Sequence, residues 1–80
     1  MMTPAQRNYI MNNEAWVTLA EELGFKPARF KKADDLRAEA IRIFNQDFAY
    51  EWDWERASKE DASNLISIMK RLKEGNNKHE

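Results

Sequence analysis

The sequence predicts an all-α fold, a compact bundle of three or four short helices, on three observations. Two glycines, one valine and two threonines in 80 residues are too few turn formers and β-branched residues for a sheet protein. Apolar residues recur at three- and four-residue spacing in separate stretches, the signature of amphipathic helices. Two of those stretches open on capping signals, Thr3-Pro4-Ala5-Gln6 and Ser58-Lys59-Glu60-Asp61.

The first helix starts almost at once, with Thr3 as cap, Pro4 at the first helical position and Gln6 reaching back. Tyr9, Trp16, Ala20 and Leu23 can share a face, but Asn12 and Asn13 interrupt it. Asn13 can cap a new helix from Glu14, so one bent helix and two short ones both fit. Gly24 is a natural left-handed stop, Phe25 can pack back on the helix end, and Pro27 blocks simple continuation.

Lys26, Arg29, Lys31 and Lys32 form a basic run without an acid, interleaved with Phe30. Asp34 and Asp35 then open a helix whose Leu36, Ala40, Ile43, Phe44 and Phe48 make an apolar stripe. From Asp47 to Glu55 the period changes. Tyr50, Trp52 and Trp54 alternate with Glu51, Asp53 and Glu55, as in a short extended segment, although a helix continued to Trp52 also fits.

The last helix has the clearest pattern. Ser58 caps it, and Asp61 completes a near capping box. Ala62, Leu65, Ile66, Met69 and Leu72 share a face that Ile68 widens. Burying a side chain such as Leu65 contributes roughly 1.5 to 3 kcal/mol, so this face should pack between the first helix and the helix ending at Phe48. Lys70, Arg71 and Lys73 suit the negative end of the helix dipole, Gly75 reads as a stop, and residues 76–80 read as a disordered tail after a single domain over 1–75.

Thr3-Pro4-Ala5-Gln6-Arg7-Asn8-Tyr9-Ile10, the stop at Glu22-Leu23-Gly24, and Ser58-Lys59-Glu60-Asp61-Ala62-Ser63-Asn64-Leu65-Ile66 resemble a small helical module of bacterial and phage proteins. That module opens with T-P-x-Q-x-x-Y-I and closes with S-K-x-[ED]-A-S-x-L-I. It is mostly of uncharacterised function, sometimes standing alone and sometimes attached to phage proteins that handle DNA. The resemblance covers about a third of the chain and implies a phage or prophage origin and nothing catalytic. Extra residues around Asn12 to Val17 and the aromatic acidic segment depart from the pattern.

Composition narrows the chemistry. Without cysteine there is neither a disulfide framework nor a thiolate metal site, and no apolar run approaches the ~20 residues that span a bilayer. A cytoplasmic location in a bacterial host is the default expectation. The single histidine, His79, lies in the expected tail, so no histidine-based triad or metal cluster is expected elsewhere, and neither an enzyme nor a cofactor is foreseen. Glu51, Asp53 and Glu55 imitate the first ligands of a calcium loop, but the sixth position is Arg56 instead of glycine and the twelfth is Ala62.

Two charged segments remain. Asp47 to Asp61 holds six acids against Arg56 and Lys59, a net of −4, with two of the three tryptophans. Its rings can close over the core. Alternatively Asp47, Tyr50, Glu51, Trp52, Asp53, Trp54 and Glu55 form a protein-binding edge, aromatic at the centre and acidic at the rim. The function expected first is therefore that of a small phage-type protein that binds another protein, such as a host enzyme or defence complex, through this surface, one version being mimicry of nucleic-acid charge. The alternative is an accessory nucleic-acid-binding module of phage DNA metabolism using Lys26, Arg29, Lys31 and Lys32, joined by Lys70, Arg71 and Lys73 if they fold nearby. The basic run also reads as a solvated connector whose charges face Asp34, Asp35 or the acidic segment. A third expectation is a self-associating structural protein, a homodimer included, in which acidic and basic segments pair between copies.

Overall fold

Thr3 starts helix α1 (Pro4–Met11) as its sequence requires: its Oγ1 accepts the Gln6 N–H at 3.1 Å, and Gln6 Oε1 accepts the Thr3 N–H at 3.0 Å. The computed structural model describes the backbone of residues 1–77 and the side chains of residues 1–75. Among them are four helices and no strand, in an all-α bundle.

The first helical stretch resolves into two helices. Asn12 leaves helical geometry (φ −77°, ψ 117°), and its Oδ1 accepts the Glu14 N–H at 2.9 Å, so Asn12, not Asn13, caps α2 (Asn13–Glu22). The break shifts the buried face by one residue. Ile10 is fully buried while Tyr9 is 48% exposed, because helical spacing counted back from Trp16 does not run through Asn12. The Trp16 indole joins the two helices: buried, it donates from Nε1 to the Ile10 carbonyl at 2.6 Å, one of the carbonyls that α1 leaves without an intrahelical partner. At the far end Gly24 (φ 101°) forms a Schellman stop, with Gly24 N–H to Glu21 C=O and Phe25 N–H to Ala20 C=O, both 3.0 Å.

Helix α3 (Phe30–Phe48) begins four residues before the expected Asp34. The buried stripe explains the difference: Ala33, Leu36, Ala40 and Phe44 are spaced by three, four and four residues, and Ala33 brings the preceding turn into the helix. It ends on Ala49 in the left-handed region (φ 60°), whose N–H reaches Asn45 C=O at 3.1 Å.

The segment from Ala49 to Ser58 contains no strand. Asp53 Oδ1 accepts the N–H groups of Glu55 (2.8 Å) and Arg56 (3.1 Å), a side-chain turn that folds back what alternation predicted to be straight. Helix α4 (Lys59–Asn77) then opens with a complete capping box, the Asp61 N–H to Ser58 Oγ at 3.0 Å and the Ser58 N–H to Asp61 Oδ2 at 3.1 Å. Ala62, Leu65, Ile68 and Met69 are buried, and α4 packs against α1, α2 and α3, while α2 and α3 pack against each other. Gly75 does not stop α4. A glycine inside a helix costs about 1 kcal/mol relative to alanine without ending it, and the helix runs on to Asn77, so 76 and 77 belong to it. The rest of the expected tail, including His79, lies outside the described residues. Lys70, Arg71 and Lys73 are consequently not in the last turn. Arg71 pairs with Asp47 at 2.9 Å and Lys73 with Glu22 at 3.0 Å, holding α4 to α3 and to α2. At 19 residues each, α3 and α4 are longer than the short helices expected.

Candidate functional site

The two charged segments lie at opposite ends of α3, and the structure treats them differently. At the C-terminal end the aromatic residues gather on the buried ring of Phe44. Tyr50 and Trp52 meet it edge-on at 5.5 and 5.2 Å between centroids, Phe48 lies at 4.9 Å, and Trp54 meets Trp52 edge-on at 5.4 Å. Trp52 and Trp54 are half-buried and packed against the core. Backbone bonds hold the segment in place: the Trp52 N–H donates to Asn45 Oδ1 at 2.7 Å, and Arg7 Nη2 donates to the Trp54 carbonyl at 2.5 Å.

The two indoles thus close the bundle. What faces solvent at this acidic end is Phe48 (38% exposed) and Tyr50 (50%), with the carboxylates of Glu51, Asp53 and Glu55. Asp47 is exposed but engaged by Arg71. The Tyr50 hydroxyl donates to Asp61 Oδ1, tying the aromatic turn to the capping box of α4. Partial burial pushes the Asp61 carboxyl up, but the hydrogen bonds from Tyr50 and Ser58 outweigh it and hold the group below its ordinary value. The same bond, with burial and the charges of Asp61 and Glu60, raises the Tyr50 phenol.

At the N-terminal end, Lys26, Arg29 and Lys31 are exposed and Lys32 is partly covered. Among the described residues none of the four forms an ion pair: Asp34, one of their expected partners, is held by Arg37 at 3.3 Å. Nor do Arg71 and Lys73 extend this patch, since both are paired elsewhere. Phe25 does not pack back on the helix. It is 49% exposed under the Lys32 ammonium, which sits 3.9 Å from the ring centroid, and Phe30 is 66% exposed. Two shallow grooves flank the loop, one of about 430 Å³ beside Phe25, Lys32 and Asp35, the other of about 520 Å³ beside Phe30, Val17 and Ala28. Arg29 and Lys31 line both.

The helix terminus itself is unusual. Arg29 occupies the cap position without a side-chain cap bond, and the first turn of α3 holds Lys31 and Lys32 and no acid. In α2 and α4 the first turn is acidic, with Glu14 in one and Glu60 and Asp61 in the other. Cations at the positive end of a helix dipole are unfavourable by about 0.3 to 1 kcal/mol each, so this placement does not serve the stability of α3.

Sequence reading found both charged segments but left open whether the rings of the acidic one close over the core or face a partner. Tryptophan is the larger interface residue, and only packing shows that Trp52 and Trp54 are spent inside while Phe25, Phe30 and Phe48 stay outside. Among the described residues no three His, Cys, Asp or Glu side chains converge as a metal site. Comparison with protein-family models, curated proteins and solved structures finds no match.

Proposed function

We propose that the protein is a noncatalytic binding module that holds single-stranded nucleic acid on the loop Phe25–Lys32 and the first turn of α3. The observation that carries this is the set of four cations that form no ion pair among the described residues, Lys26, Arg29, Lys31 and Lys32, interleaved with the exposed rings of Phe25 and Phe30. Cations meet phosphates and aromatic faces accept bases, and stacking contributes about 1 to 3 kcal/mol per base whatever the base. A duplex does not offer its base faces, which favours a single strand. The net charge of −1 provides no long-range attraction, so binding rests on the local patch and is confined to it by the acids at the other end of α3. The resemblance to a module attached to DNA-handling phage proteins supports the same reading.

Fluorescence anisotropy with a labelled oligothymidine tests it. Engaging all four cations gives a slope of log affinity against log salt of about −3, Lys31→Glu/Lys32→Glu abolishes binding, and Phe30→Ala weakens it about tenfold or more. Absence of binding at low salt, or equal binding by these variants, rejects the assignment.

A second reading, capture of a basic protein such as a host enzyme or defence factor, is favoured by Phe48 and Tyr50, which stand exposed beside Glu51 and Glu55. It predicts a discrete protein retained from nuclease-treated bacterial lysate by the wild type and lost with Tyr50→Ala/Glu51→Lys. Replacing Trp52 or Trp54 would not test it, because both support the core.

A further inference from the structure

We infer that the protein self-associates head to tail, the acidic aromatic end of α3 in one copy docking on the basic aromatic end of α3 in the next. The occupant of each end is a second copy of this chain. Charge complementarity within the chain carries the inference. Lys26, Arg29, Lys31 and Lys32 surround the start of α3, whereas Glu51, Asp53 and Glu55, with Asp47 paired to Arg71, surround its end, about 27 Å away at 1.5 Å per residue, in a molecule 35 Å long. Each end also exposes two rings, Phe25 and Phe30 at one and Phe48 and Tyr50 at the other, so contact buries apolar surface as well as pairing charges. Of the two acids one turn along α3 from the basic end, Asp34 is engaged by Arg37 and Asp35 lines the groove beside Lys32. Both ends carry the sign that the α3 dipole already has, cations at its positive end and Asp47 in a last turn without a base.

That sign pattern is unfavourable in an isolated helix and favourable when helices follow one another in line, since each negative terminus then meets a positive one. The middle of α3 does not invite a side-by-side arrangement, because its outer surface carries the Glu39–Arg42 ion pair at 2.6 Å, whose charges are already matched. With a net charge of −1, no overall repulsion keeps copies apart. A contact between two different patches is heterologous, and when it does not close into a ring it produces open chains.

Light scattering on nuclease-treated protein tests the inference, independently of oligonucleotide binding. The weight-average mass should rise from the 9.5 kDa monomer without a plateau as concentration goes from micromolar to millimolar. It should return to the monomer in about 1 M salt, where the Debye length is about 3 Å. Lys31→Glu/Lys32→Glu, which cancels the charge of the four basic residues, and Glu51→Lys/Glu55→Lys, which cancels that of the four acidic ones, should each remain monomeric alone and associate when mixed. Circular dichroism of both variants establishes that they are folded. A monomeric wild type at millimolar concentration, a plateau at the dimer mass, or a mixture that stays monomeric overturns the inference. Because no nucleic acid is present, failure here leaves the single-strand reading to its own measurement.

Discussion

Gln6 and Lys59 join the starts of two helices that lie 53 residues apart: the Gln6 amide donates from Nε2 to the Lys59 carbonyl at 3.1 Å while its Oε1 accepts the Thr3 N–H at 3.0 Å. One side chain closes the capping box of α1 and docks it on the first residue of α4. The Met2 N–H to Ala57 carbonyl bond, 2.8 Å, lies alongside. A glutamate would satisfy the first role, as capping boxes commonly do, but has no proton to donate in the second.

Gln6→Glu should therefore lower stability by about 1 to 2 kcal/mol, since a carboxylate replaces the donor beside a carbonyl oxygen. Thermal unfolding reads this as a fall of roughly 4 to 16 °C for a domain of this size. Gln6→Met, which loses both bonds but brings no charge, should cost no more than that.

Trp16→Phe keeps the ring in the core and removes the indole N–H that satisfies the Ile10 carbonyl. A buried carbonyl without a partner costs about 1 to 3 kcal/mol. Urea unfolding should show a lower midpoint with an unchanged slope, the pattern of lost stability without a change in the exposed surface.

Ala49 ends α3 with φ of 60°, where a Cβ is penalised by roughly 1 to 2 kcal/mol. Ala49→Gly relieves that strain, offset in part by the greater freedom of glycine in the unfolded chain. The expected result is a gain of about 0.5 to 1 kcal/mol in chemical denaturation. A loss would mean that the Ala49 methyl contributes packing that its exposure does not suggest.

The Tyr50–Asp61 bond makes stability depend on pH at both extremes, with opposite signs. Asp61 is held below its ordinary 3.8, so the unfolded state binds its proton more readily; its contribution is complete above that value and fades as pH falls through the folded pKa. Tyr50 is raised above its ordinary 10.0, so its contribution is complete below that value and is lost as pH rises through the folded pKa. Tyr50→Phe should flatten the alkaline limb of a stability profile and weaken the acid limb. An unchanged alkaline limb in Tyr50→Phe would show that the phenol does not govern it.

Features that depend on neighbours along the chain follow from the residues alone. The capping boxes at Thr3 and Ser58 and the left-handed stop at Gly24 are complete within a few residues. The stripe through Leu65 and Ile68 has one period and needs a partner of any identity. Where two local readings competed, tertiary contacts decided. One bent helix and two short ones with Asn13 as cap both fit, and the register that forms is capped by Asn12, buries Ile10 and lets Trp16 reach its carbonyl. Gly75 is a stop only where the chain turns left-handed, and here α4 continues to Asn77. The charged surfaces were legible as charge and illegible as shape. Four cations with no acid among them stand out in a string of letters, but whether Asp34, Asp35 or an acid from elsewhere neutralises them is a matter of three-dimensional proximity. Asp34 goes to Arg37 and Glu22 to Lys73, and among the described residues the basic loop forms no ion pair. Likewise nothing in the alternation of Tyr50, Trp52 and Trp54 says which rings meet water. Packing makes that choice: Trp52 meets the buried ring of Phe44 and Trp54 meets Trp52, both half-buried, while Tyr50 meets Phe44 and stays 50% exposed.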